Sequence, residues 1–119
     1  MPENRKIAIE RLSVLIASLD LLEAQLKPSR SAYNDLLMRL LDGQEVDAAL
    51  RAEDVSSTRE MLTSALKQFE KTRHLTRVAV IKAQIDEGTS INAASETWGL
   101  TRQLVSRYVN LPDSDESEQ

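Results

Sequence analysis

SINAASETWGLTRQLVSRYVN, from Ser90 to Asn110, is the stretch on which the reading of this chain turns. Ser90 offers a side-chain oxygen that can cap a short helix running through Trp98. Gly99 supplies the positive φ of a tight turn, and Thr101 can cap a second helix to about Asn110. The spacing predicts helix, turn, helix. Within that frame Ala94, Trp98, Leu100, Val105 and Tyr108 point inward to a small shared core. Ala93, Ala94 and Ser95 are small enough to let two helices cross closely. Arg102, Gln103, Ser106, Arg107 and Asn110 are left on the outer side of the second helix.

Upstream of this stretch the apolar pattern is helical throughout. From Ile7 to Lys27 the residues Ala8, Leu12, Leu15, Leu19, Leu22 and Leu26 follow alternating four-three spacing, and Ile9 and Ile16 widen the stripe. Pro28 is expected to end that helix, because its ring removes a donor and biases the preceding residue away from helical geometry. Ser29 or Ser31 then caps a second helix carrying Tyr33, Leu36, Leu37, Leu40 and Leu41, closed by Gly43, which together would make a helical hairpin. A short amphipathic piece, Val46, Ala49 and Leu50, precedes Asp54. Ser56 or Ser57 with Glu60 reads as a capping box before Met61, Leu62, Ala65, Leu66 and Phe69. The polar run Lys71 to His74 leaves two readings open for residues 57–87. One is a single helix. The other, favoured here, is a link at Thr72 to Thr76 with Thr76 capping a new helix through Ile85. On that reading His74 is a solvated linker residue. Residues 1–71 form a helical dimerisation region, 72–111 the compact C-terminal domain, and 112–119 a tail.

Composition agrees with an all-α class. Aromatic residues make up 3% of the chain, and Leu, Ala, Ile and Val carry nearly all its apolar mass. There is no Cys and a single His, so a disulfide framework or thiolate metal site is excluded and no metal or other cofactor is expected. No Gly-rich phosphate loop, Ser/His/Asp set or pair of His at helical spacing is present, so no enzyme is expected. The chain has neither the apolar run of a secretory signal nor a membrane span, which makes the cytoplasm the expected address and a membrane an unexpected partner. Net charge is −4 and is unevenly spread. Met1 to Lys71 carries ten bases against twelve acids, Thr72 to Asn110 five against three, and the last nine residues four acids and no base. The minus sign belongs mostly to the tail from Pro112 to Gln119, which lacks an apolar anchor and is expected to be disordered.

The words Gly99-Leu100, Thr101-Arg102 and Val105-Ser106-Arg107-Tyr108 resemble the bacterial helix-turn-helix superfamily: repressors, plasmid-control proteins of the KorA type and recombinase DNA-binding domains. The resemblance covers Ser90 to Asn110 and extends loosely back to about Thr76; Ser95 departs from it, standing where Ala is usual. It implies sequence-specific binding of double-stranded DNA. Arg102 and Gln103 would then reach base edges, Arg107 a phosphate, and Ser106 either, with Thr101, Asn110 and Ser90 as further contacts. A short reading helix gains affinity by doubling, so the partner expected besides DNA is a second copy of the chain, joined through Leu12, Leu15, Leu19, Leu22 and Leu26. The function expected is that of a dimeric transcriptional repressor. Two alternatives stand beside it: an oligomeric assembly protein whose helix-turn-helix meets a protein, and an accessory DNA-binding factor of a plasmid, phage or transposon. The residues indicate no small-molecule effector.

Overall fold

The computed structural model describes residues 2 to 112, so the tail from Asp113 lies outside the described residues. Five helices and no strand are found among them: α1 (Glu3–Leu41), α2 (Val46–Ala52), α3 (Val55–Asp86), α4 (Ile91–Trp98) and α5 (Arg102–Val109). This is the all-α class that the aliphatic composition predicts. No described helix is long and apolar enough to cross a membrane.

Three local expectations need correction. Pro28 does not end a helix, and there is no separate helix capped by Ser29 or Ser31; α1 passes through the proline and continues to Leu41. The missing N–H releases the carbonyl of Ala24, one turn earlier. Ala24 and Pro28 are both exposed, so water can take the donor's place and the helix tolerates the loss. Gly43 does close it, at φ 84, with its N–H donating to the Leu40 carbonyl and that of Gln44 to Arg39.

The second correction concerns the link at Thr72 to Thr76: α3 is one helix from Val55 to Asp86. With no Pro or Gly in the run, nothing forces a break, and burial decides. Thr72, His74 and Thr76 are all buried. The Thr76 hydroxyl donates back to the Thr72 carbonyl at 2.7 Å and to the Arg11 carbonyl at 3.0 Å, so it is a mid-helix anchor and not a cap. His74 is accordingly no solvated linker residue. The third correction is at the start of α3, where Asp54, with φ 47, accepts from the Ser57 N–H at 3.4 Å and does the capping assigned above to Ser56 or Ser57.

The described residues fall into two units, one comprising those up to Ile16 and from Glu70 onward, the other Ala17–Phe69. In the first, the C-terminal half of α3 is the centre. Val78 and Ile81 join Ala94, Val105 and Tyr108 in one buried cluster, while Ala8 of α1 meets Ala79 and Ala83 in another. The three alanines let α1 and α3 approach closely there.

The Ala17–Phe69 unit is built differently. Its one buried apolar side chain is Ala49; the others buried there are Ser18 and Ser29. The Arg39 guanidinium donates to the Glu53 carboxylate at 2.5 Å and to Gln44 at 3.3 Å, tying the end of α1 to the residue that closes α2. Along α1 the leucine stripe read as one face divides in two. Leu22 lies half-buried in line with Ser18, Gln25, Ser29, Ala32 and Leu36, whereas Leu19 and Leu26 are exposed in line with Tyr33, Leu37 and Leu40.

Candidate nucleic-acid interface

Each end of α4 and α5 is fixed by the residue type its position requires. The Ser90 hydroxyl, on extended backbone, accepts from the Ala93 N–H at 3.0 Å and starts α4. Gly99 stops it in the left-handed region at φ 66, with its N–H directed to the Glu96 carbonyl and that of Leu100 to Ser95. Two residues on, the Thr101 hydroxyl accepts from the Leu104 N–H at 3.1 Å and starts α5. The turn has a further lock that the sequence pattern did not reveal: the Ser95 hydroxyl donates to the Leu100 carbonyl at 2.5 Å. An alanine there would leave that carbonyl without this donor, so the serine has a local use.

A Cβ at Gly99 would meet nothing within 4 Å, so the cost of adding one is conformational alone. Gly99→Ala is expected to lower stability by roughly 1–2 kcal/mol, the penalty for an L-residue in the left-handed region. Gly99→Asn, which tolerates that region better, should cost less. Urea denaturation of the two variants against wild type checks the order.

Beneath this turn the mount is apolar with a polar rim. Ala94 and Val105 are fully enclosed and Tyr108 nearly so; Trp98, Leu100 and Leu104 pack against them half-buried. The Trp98 indole donates to Gln84 Oε1 at 2.7 Å, holding α4 to α3. Tyr108 is held from α3 in three ways: its hydroxyl accepts from Arg77 at 3.1 Å, the same guanidinium lies 5.5 Å from the ring centroid, and His74 meets the ring edge-on at 5.5 Å. The Lys82 ammonium donates to the Leu111 carbonyl just past α5. Gln84, Arg77, His74 and Lys82 all come from α3 and were not singled out from the sequence as supports. The one signal they gave was their place in the helix before the turn.

On the outer side, Arg102, Gln103 and Arg107 are exposed, and none of their side chains makes a hydrogen bond or ion pair with a described residue. Ser106 is half-buried between them. Asn110 is exposed, but its amide donates to the Ser106 carbonyl at 3.0 Å and is partly committed to closing α5. The Thr101 and Ser90 oxygens are engaged as caps, which leaves each hydroxyl proton as its remaining donor. Neither α4 nor α5 has an acid in its first turn, so neither helix dipole is offset from within its own first turn. What α5 presents is thus two guanidinium groups and one amide on a short, doubly fixed helix.

The residues assigned above to dimerisation all stand on α1 and are shared between the two units. Leu12 and Leu15 belong to the unit that contains α4 and α5, where with Val80, Trp98 and Leu100 they line a cavity of about 400 Å³. Leu19, Leu22 and Leu26 belong to the other unit.

No family model, no curated protein and no solved structure matches this chain.

Proposed function

We propose that α4 and α5 are a helix-turn-helix that reads double-stranded DNA, with α5 entering the major groove, in a homodimeric cytoplasmic regulator that represses transcription by occupying its site. The observation that carries this reading is the unpaired outer face of α5. Arginine and glutamine are the side chains that make bidentate contacts to guanine and adenine edges, and here they project from a helix whose two ends and inner face are already satisfied. A merely structural surface helix has no need of such a mount. The resemblance of Gly99 to Tyr108 to bacterial helix-turn-helix proteins supports the same reading.

Charge sets the kind of binding to expect. Thr72 to Asn110 carries a net charge of only +2, five bases less three acids, so sequence-independent attraction to phosphate is weak. Specific affinity must then come from base contacts and from two copies acting on one site. The test is selection of bound duplexes from a random pool, followed by titration of the preferred duplex at two salt concentrations. The expected result is a two-fold symmetric site with half-sites about one helical turn, roughly 34–36 Å, apart. Affinity should fall with salt, with a logarithmic slope of about −0.9 per phosphate contacted. An unenriched pool, or binding indifferent to salt, would remove DNA as the ligand and favour a protein partner for α5.

A further inference from the structure

The Ala17–Phe69 unit lacks something a stable helical unit needs. Of its apolar side chains only Ala49 is buried, while along α1 Leu19, Leu26, Tyr33, Leu37 and Leu40 stand 38% to 52% exposed. These five fall on one line with four-three spacing, and the two positions that complete the line are Glu23 and Arg30. The covered line through Ser18, Leu22, Gln25, Ser29, Ala32 and Leu36 is a second four-three seam. The two seams are offset by one residue and so lie about 100° apart around the helix. A helix with two such seams is suited to hold its own chain on one and another helix on the other, as in a four-helix bundle.

We infer that the exposed seam of α1 is covered by the same seam of a second copy, running antiparallel, with Leu19 facing Leu37 of the other copy, Glu23 facing Tyr33 and Leu26 facing Arg30. This rests on the reading of the chain as a homodimer and names its surface and polarity. The two charges choose the occupant and the direction. Neither Glu23 nor Arg30 has an ion-pair partner among the described residues, and they are opposite in sign and one heptad apart. A parallel pair would stack Glu23 on Glu23 and Arg30 on Arg30 within an apolar seam, which costs desolvation and repulsion together. The antiparallel register instead puts each carboxylate opposite a phenol hydroxyl that can donate to it. The partner's Arg30 then lies three residues away, about 4.5 Å along the axis. The pattern is complementary to itself, so no other protein is needed to satisfy it. Leu12 and Leu15 are not required for this interface, because the paired positions from Leu19 to Leu37 lie within the Ala17–Phe69 unit.

The absence of cysteine makes the test direct. Full-length chain is prepared as Leu19→Cys and as Leu37→Cys, and each is treated, alone and mixed one to one after exchange of subunits, with a bis-maleimide spanning about 10 Å. In the antiparallel register Leu19 and Leu37 of opposite copies are neighbours, while two copies of Leu19 are separated by 18 residues, about 27 Å of helix. Cross-linked dimer is therefore expected in the mixture and in neither variant alone. Leu37→Asp should raise the dimer dissociation constant about 30-fold or more in sedimentation equilibrium, with helicity by circular dichroism retained. Self-linking of Leu19→Cys overturns the polarity. An unlinked mixture of dimeric variants overturns the surface, and a wild-type chain that is monomeric at tens of micromolar overturns both. None of these measurements uses DNA, so their failure is separate from failure of α5 to read it.

Discussion

Ile81→Ala is expected to loosen the whole mount of α4 and α5, with a loss of about 2–5 kcal/mol of stability. Ile81 is fully enclosed, and its neighbours in the cluster come from all three helices: Val78 on α3, Ala94 on α4, Val105 and Tyr108 on α5. Removing three heavy atoms there opens a void that helices of eight residues cannot close, because their ends are already fixed by Ser90, Gly99 and Thr101. The chain has one tryptophan, and it packs against this cluster, so intrinsic fluorescence reports on this unit specifically. Urea unfolding followed by Trp98 emission should shift well below the wild-type midpoint. An exposed leucine such as Leu66 changed to alanine should move that signal by less than about 0.5 kcal/mol. A loss below about 1 kcal/mol for Ile81→Ala would mean that the side chain is not the centre of the packing.

The segment from Ser90 to Asn110 was legible from its residues because its signals are local. A serine cap, a glycine at positive φ and a threonine cap each act over three or four residues, and the inward positions follow from them. The rest of the chain was less legible wherever long-range packing overrules a local preference. Pro28 has a strong local bias against helix interiors, yet one lost hydrogen bond on an exposed side of α1 does not outweigh the continuity of a 39-residue helix. Lys71 to His74 looks like a link because it is polar, but Thr72, His74 and Thr76 are buried against partners far away in sequence, including the Arg11 carbonyl. No pattern within a short window contains that information. Leucine spacing along α1 was a true signal that there is something to bury, but it fits two seams at once. Only the observed exposure tells Leu22, half-covered within its own chain, from Leu19 and Leu26, which are left open.

If α5 is the reading element, Arg102→Ala, Gln103→Ala and Arg107→Ala should separate into two behaviours in titrations of preferred and scrambled duplexes. Arg102 and Gln103 form the first turn of α5, directly after the Thr101 cap, where a recognition helix penetrates the major groove most deeply. Each has a free outer end, so either can pair with two acceptor or donor groups on one base edge. Removing either should cost on the order of 1–3 kcal/mol on the preferred site and little on scrambled DNA, compressing the ratio between them by roughly 5- to 150-fold. Arg107 lies in the last turn, towards the flank of the groove, where a guanidinium meets phosphate. Its removal should weaken binding to both duplexes and reduce the salt slope by about one. All three are exposed and none of their side chains makes a hydrogen bond or ion pair with a described residue, so the variants should unfold with wild-type midpoints. That separates loss of reading from loss of fold, which Ile81→Ala does not. Three folded variants that bound the preferred duplex as wild type does would show that α5 is not the surface that reads DNA.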